Sequence, residues 1–189
     1  MKRLGLIGLG AWGQRYLETV RRREDCSITT LARASEGTTW REVLELARSG
    51  RLDGVIVATT PDSQVQIAKA TLSAGIPALV EKPLGLSRAV AESVLRGMPD
   101  PSPPLIVDYI HLYAPAYRRL KALVDGSAVV GITSEGENRG PFRGWSPLYD
   151  YGSHDAALCL DLLGVDSPFH LRHVRRLPSE AKNLSLIHI

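Results

Sequence analysis

A glycine-rich turn near the start of the chain constrains the fold more than any other feature. The sequence GLGAWG at residues 8–13 follows an apolar run that begins at Leu4, and it precedes a segment of helical character that reaches Arg23. A G-x-G-x-x-G pattern that ends a strand and opens a helix is typical of the dinucleotide-binding βαβ unit. The position of the turn therefore predicts a Rossmann-type start. The glycines alone would be a weak signal, because a glycine-rich turn that binds no ligand is the alternative.

Each glycine of this turn has a predicted role. Gly8 allows a tight turn, Gly10 lets a pyrophosphate approach the backbone, and Gly13 lets the helix pack closely on the strand. The backbone N–H groups at Ala11 and Trp12 open the helix, where the helix dipole favours an anion. We therefore predict that residues 8–13 bind the cofactor.

Strand-like and helix-like segments alternate over the first 110 residues. Strands are expected at 4–9, 27–32, 54–58, 78–81 and 105–110, with helices at 11–23, 40–48 and 63–74 and a further helix from the Ser87 cap to residue 96. This alternation predicts an α/β fold, with a doubly wound parallel sheet in a Rossmann domain over residues 1–110.

The regular alternation of strands and helices ends after residue 110. A helix at 115–124, a strand at 128–137, a helix at 149–163 and a strand at 169–177 predict the incomplete start of a second α/β domain over residues 111–189. Residues 183–189 carry neither a helix cap nor a turn signal. This favours a truncated reading frame and leaves open whether the last residues are native.

Composition narrows the functional classes. The net charge is +3, and the basic runs at 21–23 and 172–176 are not interleaved with aromatic residues, so we expect no nucleic-acid partner. No apolar run approaches the roughly 18 residues of a membrane span, and the first residues do not resemble a signal peptide. The two cysteines, Cys26 and Cys159, are far apart and are expected to be reduced, which fits a cytoplasmic protein.

The end of the second predicted strand bears on the choice of cofactor. NAD-binding proteins place a carboxylate there for the ribose 2′-hydroxyl, about twenty positions after the glycines. This chain has Arg33 and Ser35 instead, and its nearest carboxylate is Glu36. Both replacements suit a 2′-phosphate, so we expect NADP to be preferred over NAD. The alternative is that Arg33 is merely solvated.

Four segments together resemble the Gfo/Idh/MocA family of oxidoreductases. They are GLIGLGAWG, DGVIVATTPDSQVQIAKATLSAGIPALVEKPL, VDYIHLYAPAYRRLKAL and DYGSHDAALCLDLLG, and they extend over residues 5–164. The resemblance implies a Rossmann domain followed by an α/β domain whose sheet covers the substrate. It also implies NAD(P)-dependent hydride transfer to or from a hydroxyl or carbonyl carbon of a sugar, cyclitol or related polyol. Full-length members commonly associate into homo-oligomers through the second domain.

The resemblance also implies roles for particular residues. Glu81 and Lys82 of the E-K-P motif are expected to help bind the cofactor. Lys82 is also expected to be catalytic, because it would contact the reacting hydroxyl and the nicotinamide. Residues 59–61 (Thr59, Thr60 and Pro61) close the third predicted strand, and from that position we expect them to line the path of the cofactor. The alternative for Lys82 is an ordinary surface lysine after a strand.

The D-x-G-x-H motif places a second pair of candidates at Asp150 and His154. Their i,i+4 spacing predicts that both lie on one helical face, where His154 would move the hydroxyl proton and Asp150 would orient it. The alternative for His154 is a buried histidine with a structural hydrogen bond. Many family members carry an aspartate three positions after the histidine. Here that position is Ala157, while Asp155 points to another face.

Several residues remain undecided from the sequence. Three follow the fifth strand, where family members approach the substrate, yet core or rim packing is favoured for them: Tyr109, His111 and Tyr113. Loop residues Asn138, Arg139 and Arg143 fit either a substrate or solvent. No metal site is expected. Two other classes stay open: a non-catalytic NADP-binding sensor on the same fold, and a non-functional gene fragment.

Overall fold

A computed structural model describes residues 1–32, 39–124, 129, 131–137, 145–164, 173–176 and 184–188. The chain divides into two compact units, Met1–Asp108 and Tyr109–Ile189. Arg33 and Ser35, which carry the prediction of NADP preference, and the loop residues Asn138, Arg139 and Arg143 lie outside the described residues.

The first unit alternates strands and helices. Its strands are β1 (Lys2–Ile7), β2 (Cys26–Ala32), β3 (Gly54–Val57), β4 (Ala78–Glu81) and β5 (Leu105–Asp108). Its helices are α1 (Ala11–Arg21), α2 (Trp40–Arg48), α3 (Pro61–Ser73) and α4 (Arg88–Leu95). The five strands are parallel and lie in the order β2-β1-β3-β4-β5. The predicted doubly wound α/β sheet is confirmed.

The strand order reverses between β1 and β3. The chain passes from β1 to β2 on one side and then returns to place β3 on the other side. The two connections leave this point in opposite directions, so a crevice opens at the carboxyl ends of β1 and β3, where doubly wound folds bind their ligands.

Burial on both faces explains the apolar strands. All four residues of β3 are buried. Val55 and Val57 pack in one cluster with residues of α2 and α3, while Ile56 packs in another with Leu6, Trp12 and other residues of α1. Because successive side chains of a strand point to opposite faces, a strand covered on both sides is apolar throughout.

Local signals set the starts of three helices. Thr39 and Glu42 form a reciprocal capping box at α2. The Ser87 hydroxyl accepts from the Val90 N–H at α4, and Pro61 occupies the first turn of α3. No helix within the described ranges is long and apolar enough to cross a membrane.

The second unit begins with a 3₁₀ helix (Ile110–Tyr113) and α5 (Pro115–Val124). Strand β6 (Thr133–Glu137) and helices α6 (Pro147–Asp150) and α7 (Gly152–Leu163) follow, and then strands β7 (His173–Arg176) and β8 (Leu184–His188). The last three strands form an antiparallel sheet in the order β6-β8-β7.

Two expectations about these boundaries are wrong, and one segment without an assignment forms a strand. Strand β5 ends at Asp108 rather than at residue 110, because the chain turns into the 3₁₀ helix. The helix expected at 149–163 is two helices separated at Tyr151, where Gly152 weakens the helix and the Ser153 hydroxyl donates to the Asp150 carbonyl. Residues 184–188, which carried no clear sequence signal, form the central strand of the small sheet.

Candidate functional site

The glycine turn lies at the carboxyl end of β1 and is held by close backbone contacts. Gly8 has a φ of +99°, and a Cβ atom on it would lie 2.2 Å from the Ala58 carbonyl oxygen. A Cβ atom on Gly13 would lie 2.0 Å from the Gly8 carbonyl oxygen. Both positions therefore require glycine for the fold itself.

Gly10 differs from these two glycines. A Cβ atom on Gly10 would meet no protein atom within 4 Å, and its φ of −68° is open to any residue. Packing within the protein therefore gives no reason for glycine here. Open space beside an exposed backbone is the arrangement expected where a ligand approaches closely.

The start of α1 suits an anion. Gly10 is its N-cap and offers no side-chain cap, and the first turn contains no acidic residue. The unpaired N–H groups of a helix start carry a partial positive charge, which no side chain of this first turn offsets. The residues present therefore fit the pyrophosphate of a dinucleotide at Gly10, Ala11 and Trp12. The Arg15 guanidinium stacks 4.6 Å from the centre of the Trp12 ring.

The turn after β3 lies beside the glycine turn. The Ala58 N–H donates to the Ile7 carbonyl over 2.8 Å. The Thr59 methyl group would be 2.9 Å from a Cβ atom on Gly8. Thr60 is the N-cap of α3 without a side-chain cap hydrogen bond, and Pro61 begins that helix. The structure thus brings residues 59–61 next to the glycine turn, at the strand-order reversal.

The E-K-P segment follows β4 and is fixed by a buried glutamine. Gln64 of α3 is 1% exposed, and its amide group donates to the Glu81 carbonyl and, over 2.8 Å, to the Pro83 carbonyl. These two acceptors flank Lys82, which is half-buried. The Lys82–Pro83 peptide bond is cis. Two hydrogen bonds from one side chain therefore set the backbone on both sides of Lys82.

The Glu81 side chain lies in a cluster of acidic and phenolic groups. The Tyr16 hydroxyl is within hydrogen-bonding distance of Glu81 Oε1, at 2.9 Å, and of Asp108 Oδ2. Burial raises the pKa of Glu81, and the nearby Asp108 carboxyl raises it further. Burial also raises the pKa of Tyr16, with both carboxyl groups adding to the effect. The phenol therefore remains protonated at neutral pH.

His154 and Asp150 are both buried in the second unit, each 6% exposed. Asp150 ends α6 and His154 lies in the first turn of α7, so the two are not on one continuous helix as predicted. The His154 N–H donates to the Tyr151 carbonyl over 2.9 Å, three residues back rather than four.

Aromatic rings surround His154. The His111 ring centre is 4.4 Å from that of His154, and those of Tyr109 and Tyr151 are each 6.1 Å away, all edge-on. Burial raises the pKa of Tyr109. Asp155 points elsewhere and accepts from the Ser134 hydroxyl over 2.8 Å. A buried imidazole beside a second imidazole and two phenols is suited to proton transfer.

A family comparison agrees with this geometry. A sequence model described as "oxidoreductase family, NAD-binding Rossmann fold", named for Gfo, Idh and MocA, matches residues 2–109, more than half of the chain. The chain belongs to the Gfo/Idh/MocA family. Its first unit therefore has the NAD-binding Rossmann fold of this oxidoreductase family.

Solved structures extend the similarity into the second unit. A protein from Magnetospirillum magnetotacticum MS-1, described as an oxidoreductase, has a TM-score of 0.74 and 29% identity over 93% of this chain and 62% of its own. Apo scyllo-inositol dehydrogenase from Lactobacillus casei has a TM-score of 0.70 and 16% identity, over 86% of this chain and 55% of its own.

A third similar structure is biliverdin reductase from Synechocystis sp. PCC 6803, in complex with biliverdin and NADP+. It has a TM-score of 0.68 and 20% identity, over 91% of this chain and 60% of its own. The last two similarities show the fold alone. The chain spans less than two thirds of the length of each of these three proteins. No curated protein matches the chain.

The sequence did not point to three residues of this Gfo/Idh/MocA chain. Gln64 carried a usable signal, because its spacing from Ile67, Ala68 and Thr71 puts a polar residue on the buried face of α3. A buried polar side chain must find partners. Tyr16 and Asp108 carried none, since their meeting depends on the strand order. Among the described residues, no group of three or more His, Cys, Asp or Glu could hold a metal ion.

Proposed function

We propose that this chain binds NADP, or less tightly NAD, for hydride transfer to or from a CH–OH carbon of a sugar, cyclitol or related polyol. The open side of Gly10 at an uncapped helix start carries the proposal. Packing within the protein requires glycine at positions 8 and 13 but not at position 10. A ligand that approaches the backbone closely would explain why position 10 is also glycine.

The cofactor would lie along the carboxyl ends of the central strands. The N–H groups at Gly10, Ala11 and Trp12 would bind its pyrophosphate, and Thr59, Thr60 and Pro61 would line its path. Arg33 and Ser35 support the preference for NADP, because no carboxylate follows β2 at the position where NAD-binding members need one. When bound, the nicotinamide supplies or accepts the hydride.

The protein's own residues would handle charge and protons. Lys82, fixed on both sides by Gln64, would stabilise the alkoxide that develops on the substrate oxygen. His154 would take or give the hydroxyl proton, and Asp150 would orient it. We further propose a small-molecule substrate, a cytoplasmic location and a homo-oligomeric full-length protein.

Turnover tests the proposed reaction. Three chains are assayed for the oxidation of sugars and cyclitols with NADP and with NAD. They are the parent, Lys82→Ala and Lys69→Ala, which is a matched lysine substitution on α3. We expect Lys82→Ala to lower kcat by about a hundredfold with cofactor affinity little changed, the size of effect seen on removing one group that stabilises an oxyanion. Lys69→Ala should behave as the parent. Undiminished turnover in Lys82→Ala would remove Lys82 from this role.

Binding without turnover leads to a different conclusion. A folded chain that binds NADP but oxidises no sugar or cyclitol would support the alternative hypothesis of a non-catalytic NADP-binding sensor. Ala157 favours the same hypothesis, because many family members carry an aspartate at that position.

A further inference from the structure

Two carboxyl groups oppose each other at the carboxyl end of the large sheet. Glu81 and Asp108 are the last residues of the neighbouring parallel strands β4 and β5, and they are direct partners in the strand register. Like charges directly opposite in a sheet are destabilising. Glu81 is also only 7% exposed, so water screens this pair poorly.

The Tyr16 hydroxyl bridges the pair. It lies within hydrogen-bonding distance of one oxygen of Glu81 and one of Asp108. A phenol carries a single hydrogen and can donate to only one of them. The second contact becomes a hydrogen bond when the other carboxyl group is protonated and donates to the phenol oxygen. Glu81 is the more deeply buried of the two groups, and burial disfavours the charged form.

We propose that Tyr16 is a positioning residue that holds one proton between Glu81 and Asp108, so that the two carboxyl groups share a single negative charge. The order of donors is Glu81 to Tyr16 and Tyr16 to Asp108. No bond other than O–H is made or broken when this proton leaves, and it leaves to water.

Lys82 connects the shared proton to cofactor binding, and this connection rests on the proposed function. The Lys82 backbone N–H and its ammonium charge both act on the Glu81 carboxyl, and Tyr16 and Asp108 are the other groups that face it. A shared proton prevents a second negative charge from forming beside the Lys82 ammonium. Loss of the proton at high pH would add that charge at the end of the sheet where an anionic dinucleotide is expected to bind.

Infrared titration of the folded chain tests the shared proton without any activity. We expect the parent to show the C=O band of a protonated side-chain carboxyl group at neutral pH. Free carboxyl groups are ionised at that pH, because it lies well above their ordinary pKa range. Glu81→Gln should abolish this band, and Glu92→Gln, the same change at a partly exposed glutamate of α4 that pairs with Arg88 and Arg96, should not. Tyr16→Phe keeps the ring in its apolar cluster but removes the oxygen that accepts the Glu81 proton, so the band should disappear at a pH about one unit lower than in the parent.

Two results would overturn the proposal. One is a parent that shows no protonated carboxyl at neutral pH, and the other is a band that Glu81→Gln leaves unchanged. If Tyr16→Phe does not fold, the loss or retention of the band in Glu81→Gln still tests the proposal. Glu81→Gln is expected to fold, because glutamine has the shape of the neutral acid and can donate the same hydrogen bond.

Dinucleotide affinity separates this proposal from the proposed function. The dissociation constant of NADPH should rise by about threefold or more across the pH range in which the infrared band disappears, the effect of one partly screened charge. Glu81→Gln should remove this rise and Glu92→Gln should retain it. A shared proton without dinucleotide binding contradicts the proposed function alone, and dinucleotide binding without the band contradicts the shared proton alone.

Discussion

Replacing Gly13 by alanine tests whether the glycine turn is set by packing. The new Cβ atom would lie 2.0 Å from the Gly8 carbonyl oxygen and 2.9 Å from its carbon. The helix and turn must separate by about 1.4 Å before this contact reaches 3.4 Å, the start of the ordinary range. The obstacle is backbone rather than a flexible side chain, so it cannot rotate away.

The expected cost follows from two opposing effects. Overpacking that displaces backbone costs about 3 kcal/mol. Alanine in place of glycine inside a helix returns about 1 kcal/mol through helix propensity. The net loss of about 2 kcal/mol lowers the melting temperature of a unit of this size by about 8 °C. Gly10→Ala should cost less than about 1 kcal/mol, because only the preference at the N-cap changes.

Thermal and urea unfolding of the parent and of the three glycine variants, followed by circular dichroism, measure this difference. Gly131→Ala is the matched control, since a Cβ atom there also meets no atom within 4 Å and the position has no positive φ. Gly13→Ala should unfold well below the parent, with Gly10→Ala and Gly131→Ala close to it. A Gly13→Ala chain as stable as the parent would refute the reasoning from close backbone contact.

Three further predictions concern other residues. Gln64→Ala should lose about 3 kcal/mol of the free energy of unfolding, because two buried carbonyl groups lose their donor and a cavity opens. Gln66→Ala, on the exposed face of the same helix, should lose little. Equal urea midpoints for the two variants would contradict a stabilising role for the two Gln64 hydrogen bonds. Burial raises the pKa of Glu81 above its ordinary 4.5, so the folded state holds that proton more tightly and the stability it contributes is lost as the pH rises through the folded pKa. Glu81→Gln should flatten this decline in unfolding free energies measured on both sides of the transition, unlike Glu92→Gln. Thr39→Ala should cost about 1 kcal/mol in thermal unfolding through the lost capping box, and an unchanged melting temperature would show that the cap contributes nothing.

The sequence predicted the parts of the fold that depend on local patterns. The apolar run of β3 and the glycine turn before α1 were readable because strand burial and tight turns restrict residue types at fixed spacing. The family followed from four segments that include the motifs at residues 8–13, 81–83 and 150–154. These features need no knowledge of which strands are neighbours.

Non-local contacts account for what the sequence left out. The Tyr16 cluster forms only because β4 and β5 are neighbours in the sheet and the Tyr16 hydroxyl of α1 reaches the last residue of each strand. Strand β8 carries weak local signals but pairs on both edges. The break at Tyr151 depends on a side-chain hydrogen bond from Ser153 that competes with helix formation. His111 was expected to pack as a core or rim residue, and its contact with the His154 ring could not be derived from spacing.

Dinucleotide binding at Gly10 is the central claim, and a titration with NADPH and NADH measures it most directly. Trp12 fluorescence reports binding, and Trp12→Phe shows which part of the signal belongs to that residue rather than to Trp40 or Trp145. We predict saturable quenching, with NADPH bound at least about tenfold more tightly than NADH, a difference of about 1.4 kcal/mol. Gly10→Ala, folded as the parent, should weaken binding by about tenfold or more, while Gly131→Ala should not change it. A folded parent chain that binds neither dinucleotide, or a Gly10→Ala chain that binds as tightly as the parent, would contradict the account.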